Sequence, residues 1–121
     1  ATDNDYDLGL EYCLENLEDI SICAGTHNED SSKFLADLMQ KNGVDKTDKR
    51  IYFAQLLGMS DHISFNLSNE KYNVAKYVPY GPVKEVLPYL IRRAEENTSV
   101  AGQTNRELSL IEREIRRRRR C

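Results

Sequence analysis

No apolar run in these 121 residues approaches the roughly 20 that a membrane-spanning helix requires, and the opening residues do not read as a signal peptide. Those two absences lead to the expectation of a soluble, cytoplasmic protein whose membrane association, if any, is peripheral. Cysteine is scarce: Cys13, Cys23 and Cys121 are the only three. Their spacing fits no metal site, and an odd number argues against a disulfide framework. Cys13 and Cys23 read instead as small buried apolar residues. Lys and Arg are missing altogether from positions 1 to 32, although the formal net charge is only -3. Internal repeats are missing too, beyond a general strand-helix rhythm. With 40% hydrophobic content the chain can bury one modest core, so it is a single domain or part of one.

The far end has what the beginning lacks. Arg116 to Arg120 form an uninterrupted basic run, a pattern that can contact nucleic acid. However, Thr104 and Glu107 read as a capping box, and Leu108, Ile111 and Ile115 recur at helical spacing. The tail is therefore expected to be an amphipathic helix whose arginines sit at its C-terminal end, where the macrodipole favours them. The interleaved aromatics and basic stripe of nucleic-acid binders are absent, so no nucleic-acid partner is expected.

Between these ends, strands and helices alternate. Asn4 to Asp19 carries a stripe of Leu10, Cys13, Leu14 and Leu17 behind an Asp3 or Asn4 cap, which predicts a helix. Ile20 to Ala24 alternates and stops at Gly25, a short strand. Thr26 and Glu29 read as a capping box for a helix with Phe34, Leu35, Leu38 and Met39, ending at a left-handed Gly43. Arg50 to Leu57 has the nearly continuous apolar interior of a buried parallel strand. After Gly58-Met59-Ser60 comes a short helix from about Asp61 to Leu67, and Val74 to Val78 is a third strand. Strands spaced by about 25 to 30 residues with helices between them call for parallel pairing through right-handed crossovers. The fold class is α/β, with strands at about 20–25, 50–57 and 74–78.

A Pro-Gly-Pro turn then leads into the helix around Tyr89. On a wheel of about 100° per residue, Arg92, Arg93 and Glu96 fall within roughly 60° of Tyr89, while Val83, Leu87, Leu90 and Ala94 line the opposite side, as for docking on a sheet. Two adjacent guanidiniums aimed one way suit a carboxylate or phosphate, held in a bidentate fork, and Glu96 can brace Arg92. Spacing alone leaves open a solvated face of helical ion pairs, or an anion-binding α/β module without catalysis.

Three stretches break that tie. The run Lys76-Tyr77-Val78-Pro79-Tyr80-Gly81-Pro82, followed by Tyr89-Leu90-Ile91-Arg92-Arg93-Ala94-Glu95-Glu96-Asn97, resembles the C-terminal end of proline dehydrogenase. Gly25-Thr26-His27-Asn28 and Gln55-Leu56-Leu57-Gly58-Met59 match the same family in the same order. The resemblance implies that the chain is a fragment of that family's (β/α)8 barrel, which typically needs about 250 residues. Residues 1–100 would be its sixth to eighth strands with their helices, and residues 101–121 a helical extension with a basic end. Unpaired parallel edges would leave such a fragment prone to self-association.

The resemblance also assigns chemistry. It implies a flavoenzyme that oxidises L-proline to 1-pyrroline-5-carboxylate, with the hydride passed to FAD and the electrons on to a quinone, and with an aldehyde dehydrogenase as partner or fusion. Arg92 and Arg93 would clamp the substrate carboxylate; Leu56, Tyr77 and Tyr89 would form the substrate pocket. Thr26, His27, Asn28 and Glu96 would contact FAD, and no metal is called for. Tyr77 favours proline, because hydroxyproline-oxidising relatives tend to carry a smaller serine there. His62, on a short helix after the strand-end turn, reads as structural or exposed. The remaining flavin and substrate contacts of the family lie on earlier strands, so this chain alone is expected to be inactive.

Overall fold

The computed structural model describes residues 2–99 and 103–119, and the side chains of all of these except 96–99 and 103–107. Two units are separable, Ala1–Val78 and Pro79–Cys121. The first contains α1 (Thr2–Glu15), β1 (Ile22–Gly25), α2 (Glu29–Lys41), β2 (Ile51–Leu56), α3 (Asp61–Asn69) and β3 (Val74–Tyr77); the second contains α4 (Val83–Ser99) and α5 (Gln103–Arg118).

The three expected strands form one sheet in the order β1-β2-β3, parallel throughout. Ile22 lies opposite Ile51, Phe53 opposite Val74 and Leu56 opposite Tyr77. Successive side chains point to opposite faces of a strand, and the burial follows that period. Ile22, Ala24, Ile51 and Phe53 join Leu10, Leu14, Leu17, Leu35, Leu38 and Met39 in one core. The helices therefore cover one face. Phe53 is fully buried and meets the Tyr72 ring edge-on, with centroids 5.4 Å apart.

The other face is open, which corrects two expectations. β2 is buried on alternate residues rather than on both faces, and Tyr52 is 39% exposed. Cys23 is exposed, not buried, because it alternates with Ile22 and Ala24 and so falls on the uncovered side. An apolar residue on a strand of known period still needs a second layer to bury it, and within the unit Ala1–Val78 the helices pack on one side of the strands.

Local chemistry moves several boundaries. Asn28, not Thr26, caps α2: its Oδ1 accepts the backbone N–H of Asp30 at 2.9 Å and of Ser31 at 3.4 Å. Thr26 instead takes the Asn28 N–H on its hydroxyl at 3.0 Å, two residues on. α1 begins at Thr2 and stops at Glu15, so neither Asp3 nor Asn4 is its cap. It stops short of Asp19 because the Asn16 side chain donates to the Tyr12 carbonyl at 2.8 Å, offering the last turn an alternative to helix continuation. At the end of α2, Gly43 has the expected left-handed φ of 68°. Val44 N–H bonds the Met39 carbonyl and Gly43 N–H the Gln40 carbonyl, the paired closure of a Schellman motif.

The loop before β2 is clamped to the turn that follows α1. Asp48 accepts the Arg50 N–H at 2.9 Å and its guanidinium at 3.0 and 2.6 Å, and Arg50 also donates to the Leu17 carbonyl at 3.2 Å. These bonds to Arg50 lower the Asp48 pKa from 3.8 to about 2. A carboxyl depressed in the folded state stabilises it fully above the unfolded pKa, and that stabilisation fades as pH falls through the folded value. We expect the urea midpoint of the protein to drop between about pH 4 and about pH 2, with Asp48→Asn flattening the drop in that window. The effect shrinks in high salt because Arg50 is half-exposed. Identical pH slopes for the two proteins would show that the clamp contributes nothing.

In the second unit, α4 carries Pro88 inside its span, which removes one internal hydrogen bond. Val83, Leu87 and Leu90 on its apolar side are 75%, 50% and 40% exposed. On α5, Glu114 accepts from Arg117 at 2.8 and 2.7 Å and from Arg118 at 2.8 Å, so part of the basic run is internally paired. The side chains of Thr104 and Glu107 lie outside the described residues, as do Arg120 and Cys121.

Candidate substrate and cofactor site

Parallel strands that all run one way present their C-terminal ends together, and the loops that follow them form a common rim. Here that rim carries residues 25–28, 56–60 and 77–78. Leu56 and Tyr77 are cross-strand partners at the last step of the β2-β3 register, and the Leu57 N–H bonds the Tyr77 carbonyl at 2.9 Å. Paired residues on neighbouring strands share a face. Leu56 follows the buried Gln55 on β2, so it and its partner Tyr77 stand side by side on the open face. Tyr77 is 55% exposed, with its ring accessible to a ligand.

The turn after β1 holds Thr26, His27 and Asn28, all half-buried. Thr26 and Asn28 act on the turn's own backbone, as described above. The first turn of α2 is acidic, with Glu29 and Asp30; these carboxylates already complement the positive end of the helix dipole. His27 reaches across to the next turn, its Nδ1 2.9 Å from the Ser60 hydroxyl. The hydrogen bond to Ser60 gives the imidazole of this turn a fixed partner on the next turn.

Residues to which the sequence reading gave no role hold this rim together. Gln55 is 2% exposed; its amide donates to the Thr26 carbonyl at 3.3 Å and accepts from the Ser64 hydroxyl at 2.9 Å. Lys76 donates to the Met59 carbonyl at 2.8 Å and to Asp61 at 2.8 Å, tying β3 to the turn after β2. The available signal was a glutamine inside an apolar strand, since a buried amide must find partners. His62 sits in a groove between α2 and α3, lined also by Glu29, Ile63, Leu67 and Tyr72. Its Nε2 is 3.7 Å from a Glu29 oxygen, in keeping with a structural role.

On α4 the Arg93 guanidinium lies over the Tyr89 ring, 5.4 Å from its centroid. The spacing of four residues puts both on one face of the helix, where the ring attracts the guanidinium as a cation–π partner. Arg92 is exposed and Arg93 half-buried. Glu96 is helical, with its side chain outside the described residues. No group of three or more metal-ligating side chains occurs among the described residues, and none of their helices is long and apolar enough to cross a membrane.

Comparison with known proteins covers both units. A family model described as proline dehydrogenase matches residues 1–106. The chain is 46% identical over 121 residues to "Proline dehydrogenase 1, mitochondrial" of Bos taurus, covering 98% of this chain and 20% of the relative. The human protein of the same name is 48% identical over the same length, with the same coverage. A hydroxyproline dehydrogenase of Xenopus laevis is 41% identical over 122 residues, covering 98% of this chain and 26% of the relative. Among solved structures, proline utilization A from Bdellovibrio bacteriovorus, inactivated by N-propargylglycine, matches with a TM-score of 0.72 and 29% identity. That match covers 79% of this chain and 10% of the larger one. The chain thus spans about a fifth of the length of the proline dehydrogenases it matches, and its three parallel strands are part of a TIM-barrel type of fold.

Proposed function

The chain belongs to the proline dehydrogenase family, and from that premise we propose that it supplies the carboxylate clamp and one pocket wall of an enzyme oxidising L-proline to 1-pyrroline-5-carboxylate. The observation that carries this reading is the Leu56–Tyr77 pair, set side by side at the strand ends. An apolar ring with one carboxylate needs an apolar wall together with an anion clamp, and the likeness to the family assigns the clamp to Arg92 and Arg93. Residues 1–100 are read as the last βα units of the barrel, and residues 101–121 as a helical extension.

FAD, bound with the help of Thr26, His27, Asn28 and Glu96, would supply the two-electron acceptor for this oxidation. The chain's own residues bind and orient. Arg92 and Arg93 fix the carboxylate, Tyr89 steadies Arg93, and Leu56 with Tyr77 covers the ring and keeps water from it. A quinone would take the electrons onward, and an aldehyde dehydrogenase would consume the hydrolysed product. Relatives named as mitochondrial support a mitochondrial address over the cytoplasmic one expected from composition.

The test uses an eight-stranded polypeptide carrying this segment, held without oxygen. L-Proline should bleach its flavin absorbance, and inorganic phosphate should not. Binding of phosphate without any bleaching by proline would favour an anion-binding module instead. Tyr77→Ser should shift the ratio of kcat/KM values toward hydroxyproline by about tenfold, the scale of one group's fit in a pocket. An unchanged ratio would remove Tyr77 from the pocket.

A further inference from the structure

Ser60 carries two features that local structure does not explain. It is the N-cap residue of α3 with φ 50° and ψ 41°, and its side chain makes no cap hydrogen bond. Left-handed backbone is avoided by L residues other than Asn and Asp, and a serine at an N-cap ordinarily spends its hydroxyl on the helix's first N–H groups. Ser60 does neither of the usual things, and it is 5% exposed, so solvent does not account for its placement. Its hydroxyl faces His27 Nδ1 at 2.9 Å, across 33 positions of sequence.

The same residue closes a buried ring of polar contacts. The Ser60 carbonyl accepts from the Ser64 hydroxyl at 3.3 Å, and that hydroxyl donates to Gln55 Oε1 at 2.9 Å. Gln55 Nε2 donates to the Thr26 carbonyl at 3.3 Å, one residue from His27. Gln55 and Ser64 are 2% and 4% exposed. Buried polar networks persist where each member is satisfied, and they then hold one geometry. A non-glycine residue kept in a sparsely populated conformation by such surroundings is a recurrent mark of a functional site.

We propose that Ser60 and Gln55 are positioning residues that lock the turns after β1 and β2 together and orient the His27 ring toward the cofactor. Gln55 sets the height of the β1-α2 turn by donating its Nε2 to the Thr26 carbonyl, and Ser60 sets the rotation of the imidazole. This rests on the proposed reading that His27 contacts FAD, and the experiment keeps the two claims separable.

Three variants of the eight-stranded polypeptide are compared by the equilibrium dissociation constant for FAD and by the thermal midpoint of the apoprotein: Ser60→Gly, His27→Ala and the double variant. Glycine suits the left-handed backbone, so Ser60→Gly should leave the apoprotein midpoint unchanged or higher while raising the FAD dissociation constant about tenfold. The double variant should bind no more weakly than His27→Ala alone, because Ser60 acts through that ring. Ser60→Ala, which removes the hydroxyl and keeps a Cβ, gives the same readout should glycine loosen the turn. An unchanged FAD constant in both Ser60 variants, beside a weakened one in His27→Ala, overturns the positioning role. Additive losses in the double variant overturn it as well. No effect of His27→Ala overturns the flavin contact itself.

Discussion

Arg92→Lys or Arg93→Lys, made in an eight-stranded polypeptide carrying this segment, should raise the KM for L-proline by about 30-fold to 150-fold, corresponding to about 2 to 3 kcal/mol for a charge-assisted bond pair. Lysine keeps the charge, so the loss isolates geometry. A guanidinium presents parallel N–H donors to both oxygens of a carboxylate, whereas an ammonium is a hydrated point charge on a flexible stem. Arg93 should show the larger effect because it also stacks on Tyr89 at 5.4 Å, and lysine gives up that planar contact. FAD content should stay the same in both variants, since the pair is proposed to hold the substrate carboxylate and not the cofactor. An unchanged KM in both would mean that the arginines are a solvated helix face.

The sheet was legible because its signals are periodic. β1, β2 and β3 fall inside the expected 20–25, 50–57 and 74–78, and the helices between them force the parallel order seen. Gly43 was legible for a steric reason, as a left-handed helix end favours a residue without a Cβ. What stayed hidden depends on the third dimension. Thr26 and Asn28 both suit an N-cap by type, and only the path of the turn decides that Asn28 takes the position. Cys23 looks like core until the open face is known. Ser60 has no sequence signal, because its left-handed backbone is held by partners 4 and 33 positions away. The motif residues follow the family's pattern along the chain, but the network that supports them exists only in three dimensions.

The 121-residue chain, purified alone, should be colourless, whereas the eight-stranded polypeptide should be yellow and should reduce an artificial acceptor with proline. The reason lies in the open face. Tyr77 and Val78 are each 55% exposed and Leu57 is 56% exposed, so the rim that would enclose a cofactor is covered on the helix side only. Binding must offset the lost freedom of the ligand and the ordering of the side chains that receive it, and one turn with a single pocket wall offers few contacts to do so. β1 and β3 each pair on one side only among the described residues, leaving parallel edges that can join other chains. The short chain should therefore elute in size-exclusion chromatography at a size that grows with concentration. Adding the missing strands should abolish that growth and bring in the flavin together. A stoichiometric, tightly held flavin on the short chain would show that the residues described here build the cofactor site by themselves, and that closing the barrel serves stability rather than binding.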